Sequence, residues 1–133
     1  MPNLVRPLSP HLSIYRKQIT SVLSILHRIT GITLYAGLVM LVIFIAVVAY
    51  FPTYYSSLHE LMSSLLFRLA MFGWTGAFYL HFFNGIRHLF WDMGKGMDIP
   101  SVNKTGWLVV VFSLLATVAT WVVAYHNAGL LKL

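Results

Sequence analysis

The sequence of 133 residues has no cysteine, only three acidic residues, and a charged fraction of 9% against 59% hydrophobic. Without cysteine, the chain cannot hold a thiolate-bound iron–sulfur cluster or attach a c-type haem covalently. Soluble domains are roughly a quarter charged. The shortage of charge therefore excludes an ordinary soluble fold and directs attention to the long apolar segments.

Three long apolar runs divide the chain. Residues 31–51 and 106–125 carry no charge, and residues 69–86 are interrupted only by His81 and Asn84. Each run is near the ~20 residues that a helix needs to cross a ~30 Å hydrocarbon core. We therefore expect an all-α integral membrane bundle of three transmembrane helices. The predicted single membrane-anchor domain spans residues 1–133, with a cytoplasmic arm at 1–20 and transmembrane helices near 22–51, 61–91 and 106–126.

The basic side chains predict the orientation of these helices. The chain has nine lysines and arginines and a net charge of +6. Seven of them lie before the first span or around the second connection, whereas Arg68 and Lys132 lie on the other side. Cytoplasmic or matrix loops are enriched in such residues, so we expect the N-terminus on that side and the C-terminus outside. Topology then accounts for the charge, and no nucleic-acid partner is expected.

No cleavable signal is expected at the N-terminus. About thirty residues precede the first apolar run, and that run is longer than the ~7–15 apolar residues of a signal peptide. Pro2, Pro7 and Pro10 also oppose an amphipathic helical presequence. These features favour a bacterial inner membrane, with the mitochondrial inner membrane as the alternative location.

His81 lies deep in the second apolar run, where an ionisable side chain is costly and marks a candidate functional site. His81, Gly85 and His88 recur at i, i+4 and i+7, on one helix face. An imidazole can ligate haem iron, and the glycine would leave a notch for a flat cofactor. The alternative for His81 is a hydrogen bond between helices without a metal. His88 would meet a haem propionate, carry protons, or be a simple interfacial histidine.

A second cluster lies at the inner end of the first span. Ser24 and Arg28 are four residues apart and share a helix face. A hydroxyl beside a guanidinium suits a carbonyl that gains negative charge on reduction, as in a quinone. Alternatively, Ser24 caps the helix and Arg28 anchors the topology. His27 points elsewhere, to a propionate or to solvent. Asp92 would deliver protons or only pair with a basic neighbour.

Both clusters fall within two blocks of sequence that resemble the cytochrome b subunit family of succinate dehydrogenase, the larger of two small membrane anchors. The blocks bracket most of the first 94 residues, whereas the third span matches only as an apolar helix. The blocks read Arg6-Pro7-Leu8, then Leu12, Ile19 and Ser24-x-x-His27-Arg28-x-Thr30, and later His81-x-x-x-Gly85-Ile86-Arg87-His88-Leu89-x-Trp91-Asp92-x-Gly94.

The resemblance implies a subunit of succinate:quinone oxidoreductase that passes electrons from the iron–sulfur subunit to ubiquinone, with no complete active site in this chain alone. It implies a haem b shared with a second small anchor subunit, which supplies the other axial histidine, and a flavoprotein subunit beyond the iron–sulfur subunit. It assigns the axial iron ligand to His81. It assigns the quinone pocket to Ser24, Arg28 and Asp92, and the haem surroundings to His27, Arg28, Gly85 and His88.

Other functions remain open at this stage. A purely structural anchor with a degenerate haem site would keep the same spans and lack a b-type absorbance band. A fumarate reductase-type anchor running in reverse is not separable by sequence. A transporter or channel subunit is disfavoured because an acidic residue would be expected in the core of a span. A single-chain di-haem cytochrome is disfavoured because only His81 lies deep in the bilayer.

Overall fold

A computed structural model describes residues 18–130 of the chain. Most of the predicted arm, residues 1–17, and Lys132 lie outside the described residues. The part that is described contains helices and no strand, which confirms the all-α prediction. The helices are α1 (Ile19–Tyr50), α2 (Tyr55–Ser63), α3 (Leu65–Asp92) and α4 (Ile99–Asn127), with a short 3-10 turn at Pro52–Tyr54.

Helices α1 and α4 are each long and apolar enough to cross a membrane. The segment Pro52–Ser63 and α3 together form a third candidate that is bent by 75°. Ser64 lies at the bend, where its backbone is extended and its hydroxyl accepts a hydrogen bond from the N–H of Phe67 at 3.3 Å. Because this N-cap starts a new helix, α3 begins a few residues after the start expected near residue 61.

A tight turn ends α3 at Gly94. The N–H of Gly94 donates to the carbonyl of Trp91 at 2.8 Å, and the N–H of Lys95 donates to the carbonyl of Phe90 at 3.0 Å. This pair of hydrogen bonds is a Schellman motif, which needs a left-handed residue after the helix. Gly94 has a φ of +72°, a conformation open to glycine at little cost. The chain therefore leaves α3 abruptly and turns towards α4.

Asp98 begins α4. Its carboxylate accepts a hydrogen bond from the N–H of Ser101 at 3.0 Å. Hydrogen bonding from Ser101, through its side chain and its backbone, holds the pKa of Asp98 below its usual value. Pro100 lies in the first turn of α4, where a backbone N–H would have no hydrogen-bond acceptor within the helix, so the N–H that proline lacks is not needed there. Helix α4 thus starts at Ile99, several residues before the start expected near 106, and Pro100 belongs to the helix and not to the connection.

Most of the buried side chains between the helices are polar. Large apolar side chains instead point outward along α1, α3 and α4. This arrangement is the reverse of a soluble core and suits a lipid surrounding, in which packing and hydrogen bonds hold helices together. The buried side chains are the polar or charged Thr30, Asn84, Arg87, Ser113 and Thr117 and the apolar Leu23 and Val109.

Glycines allow α1 to lie close to its neighbours. A Cβ atom at Gly37 would overlap the indole ring of Trp74 on α3, whose Nε1–H donates to the carbonyl of Thr33 at 3.4 Å. A Cβ atom at Gly106 on α4 would lie 3.3 Å from the side chain of Leu23. Helix α1 therefore contacts both α3 and α4 at positions where a larger residue would hold the helices apart.

Replacing Gly37 by alanine tests this packing. We expect Gly37→Ala to lower the stability of the purified protein in detergent by about 1–3 kcal/mol, because the new methyl group must displace the Trp74 ring. Gly73→Ala on α3 is the matched control, since its Cβ would meet nothing within 4 Å. Thermal unfolding should show a lower midpoint for Gly37→Ala alone. Equal midpoints for both variants would contradict the close approach of α1 and α3.

Candidate functional site

His81 is held against α1 by its Nδ1 atom. That atom lies 3.1 Å from the carbonyl oxygen of His27 and 3.2 Å from Oγ1 of Thr30. A carbonyl oxygen only accepts, so Nδ1 carries the proton and donates it. A neutral imidazole has one N–H, and Nε2 of His81 therefore keeps its lone pair. Such a contact at the other nitrogen is what orients histidines that ligate metals.

Gly31 makes room for the His81 ring. A Cβ atom at Gly31 would lie 3.1 Å from Cε1 of His81, closer than side chains normally approach. Gly31 follows His27 by four residues and so lies on the same face of α1. This spacing is visible in the sequence, although Gly31 is not among the predicted site residues. At Gly85, where a notch was predicted, a Cβ atom would lie 4.0 Å from Cε1 of His27, an ordinary contact.

Three histidines from two helices lie together between α1 and α3. The rings of His27 and His81 are stacked, with centroids 3.9 Å apart and an angle of 7° between their planes. The His88 ring centroid lies 5.3 Å from that of His27. Nδ1 of His27 is buried and has no hydrogen-bond partner in residues 18–130. Since buried polar atoms are nearly always paired, this nitrogen lacks a hydrogen-bond partner that a group from outside residues 18–130 could supply.

Ser24 and Arg28 occupy a different face of α1. Both side chains are exposed, and the hydrogen bonds found within residues 18–130 involve neither of them. His27, between them in sequence, turns towards α3. Asp92 is also exposed, at the end of α3, and no hydrogen bond joins it to Ser24 or Arg28 in the described range. The structure thus leaves all three predicted quinone residues open to a ligand or a neighbouring subunit without bringing them into direct contact.

Arg87 links α3 to α4, and Asn84 beside it links α3 to α1, a pair of contacts that the sequence pattern did not indicate. Arg87 is 5% exposed and donates from Nε to Oγ1 of Thr105 at 3.1 Å and from Nη2 to the carbonyl of Val102 at 2.9 Å, both on α4. Its Nη1 donates to Oδ1 of Asn84 at 3.4 Å. Asn84 is fully buried, and its Nδ2 donates to the carbonyl of Leu23 on α1 at 3.5 Å. A polar chain of contacts therefore runs across the bundle.

The sequence matches a known family over most of its length. The family described as Succinate dehydrogenase/Fumarate reductase transmembrane subunit matches residues 2–120. The chain belongs to this family. The match includes every candidate site residue discussed above and confirms the resemblance seen in the two sequence blocks.

Curated relatives come from bacteria and from mitochondria. The chain is 44% identical over 117 residues to the succinate dehydrogenase cytochrome b556 subunit of Rickettsia prowazekii (strain Madrid E), covering 88% of this chain and 91% of the relative. It is 41% identical over 118 residues to the mitochondrial succinate dehydrogenase cytochrome b560 subunit of Sus scrofa, covering 85% of this chain and 68% of the relative. These relatives and the apolar helices confirm a membrane subunit of succinate dehydrogenase, an enzyme complex.

Replacing Arg87 tests the polar chain between the helices. We expect Arg87→Gln to destabilise the bundle by about 1–3 kcal/mol, because buried acceptors on α3 and α4 lose their donors. Arg68→Gln is the matched control, since Arg68 lies exposed on the same helix. The measurement is the thermal midpoint of the purified complex in detergent. If both variants unfold at the wild-type temperature, the Arg87 contacts do not hold the helices together.

Proposed function

We propose that this chain is the haem b-carrying anchor of succinate:ubiquinone oxidoreductase and conducts electrons from the iron–sulfur subunit to ubiquinone. The observation that supports this most is the Nδ1–H of His81 fixed on the carbonyl of His27, which leaves Nε2 with its lone pair. When bound, haem b supplies a one-electron store within the membrane. The chain's own residues hold that group and polarise the quinone.

The histidine cluster fits a haem. In this proposal His81 would hold the haem iron through Nε2, with the ring oriented by His27 and Thr30. The unpaired Nδ1 of His27 would gain an acceptor from a haem carboxylate. The resemblance to the family implies that a second histidine ligand would come from the partner anchor subunit. Gly85, His88 and Arg28 complete the haem surroundings.

Ser24 and Arg28 form the quinone half of the proposal. Their shared, exposed face on α1 lets the hydroxyl donate to a quinone carbonyl while the guanidinium stabilises the negative charge that reduction places there. Asp92, at the inner end of α3, supplies protons to the reduced ring. His27 faces α3 and Ser24 does not, so in this proposal Arg28 is the residue that the haem surroundings and the quinone pocket share.

Three spans with a cytoplasmic or matrix N-terminus complete the topology that we propose. In this arrangement α1, the bent unit ending in α3, and α4 each cross once, and the α3–α4 connection lies on the inner side with Lys95 and Lys104. The most apolar window of α1 has no buried residue, so much of its surface is available to a partner. The second anchor subunit would cover it, and the iron–sulfur and flavoprotein subunits would dock on the basic inner side.

A visible spectrum tests the haem ligand. The reduced-minus-oxidised spectrum of the purified complex should show a b-type band that His81→Ala removes or grossly alters, because the iron loses an axial nitrogen. His59→Ala is the control, since His59 lies exposed on α2 and should leave the band unchanged. A band that survives His81→Ala would show that another histidine ligates the haem. A wild-type complex with no band would support a purely structural anchor.

Quinone kinetics test the second half independently. Ser24→Ala and Arg28→Gln should each lower succinate-dependent ubiquinone reduction by at least about tenfold, since a donor to the charged carbonyl is lost. Reduction of a soluble dye by succinate should persist, because the dye takes electrons before the membrane. Ser57→Ala and Arg68→Gln, both exposed elsewhere, are the controls. Normal quinone reduction in both test variants would show that the quinone binds elsewhere.

A further inference from the structure

A groove runs between α3 and α4 beside their connection, and its lining comes from these two helices and the connection alone. No α1 residue lines it, so it lies apart from the histidine cluster and from Ser24 and Arg28. Near the connection its walls are polar and basic, with Arg87, Lys95 and Ser101. Further along the helices the walls become apolar, with Phe83, Leu108 and Phe112.

Arg87 brings an uncompensated charge to this groove. Its guanidinium has five N–H donors, and the three hydrogen bonds found for it in residues 18–130 all go to uncharged acceptors. The guanidinium also lies 4.1 Å from the centre of the Trp91 ring. A buried charge without a counter-ion is costly. No aspartate or glutamate lines the groove, while Lys95 adds a second positive charge at its mouth.

We propose that this groove binds one phospholipid with an anionic headgroup. The headgroup phosphate lies at Lys95 and the remaining donors of Arg87, and an acyl chain extends along Leu108 and Phe112. From Thr105 to Phe112 the helix rises ~10.5 Å, enough to accompany the first part of an acyl chain into the membrane. Basic pockets between transmembrane helices on the inner side attract anionic headgroups.

The order of polar and apolar walls is what favours a lipid over the other occupants. A phospholipid is charged at the membrane surface and apolar below it, as the groove is. A free phosphate would leave the apolar half of the groove unfilled. A transmembrane helix of a partner would place apolar side chains against Lys95 and Arg87 and leave their charges unpaired. The proposal does not depend on the haem or quinone assignments, because none of the residues assigned to either site lines the groove.

Lipid binding to the delipidated, fully assembled complex tests the proposal. Native mass spectrometry would count bound phosphatidylglycerol and, separately, phosphatidylcholine with the same acyl chains. We expect Lys95→Gln to weaken phosphatidylglycerol binding about fivefold, the effect of one cationic side chain at a lipid surface. Lys104→Gln should change it little, because Lys104 is exposed nearby on α4 but does not line the groove. Equal losses in the two variants would overturn the proposal.

The apolar half of the groove provides a second test. Leu108→Trp should reduce binding of phosphatidylglycerol by filling the path of the acyl chain, and inorganic phosphate should not displace the lipid. Displacement by phosphate alone would show an anion site without a lipid. A benzophenone photocrosslinker placed at Phe112 should capture phospholipid in the membrane. Capture of the second anchor subunit at that position would overturn the proposal, as would equal binding of the two phospholipids to the wild-type complex.

Discussion

The hydrogen bonds of Arg87 and Asn84 are the constraint on which the arrangement of the helices depends. In lipid, apolar side chains gain little by leaving the surroundings for a helix interface. An unpaired polar group there costs several kcal/mol. Helices that carry an arginine and an asparagine must therefore meet where both can be satisfied. Arg87 finds its acceptors on α4 and on Asn84, and Asn84 reaches α1 at Leu23.

This polar contact also sets the register of the candidate sites. Asn84 contacts the carbonyl of Leu23, the residue before Ser24, and His81 contacts α1 about one turn further along. The helical repeat then sends His27 towards α3 and leaves Ser24 exposed. Helix α1 thus has one face packed against α3 and another face that is exposed. The glycine at position 31 allows the imidazole of His81 to lie against the α1 backbone.

The exterior of the chain is suited to contact with lipid and with other protein chains. Large apolar side chains cover the outside of α1, while most charged side chains of the described residues lie in the first part of α1 or near the α3–α4 connection. Membership of a family of succinate dehydrogenase and fumarate reductase transmembrane subunits explains this surface, because such a subunit is covered by lipid and by other chains. The groove between α3 and α4 interrupts this apolar surface with two cationic side chains, Arg87 and Lys95, in its lining.

The sequence by itself predicted the all-α class, the long apolar segments and the family, because run length, helical periodicity and short motifs are local properties. The separate helix α2 and the bend before α3 appeared only in the structure. The sequence also singled out His81, since an ionisable side chain within an apolar run is costly in a membrane and marks a candidate functional site. The roles of His81, Ser24, Arg28 and Asp92 remain predictions. Only the tertiary structure decided that Arg87 turns to α4 and that Gly31 and Thr30 contact His81, because these pairings depend on how the helices cross, which no local pattern encodes.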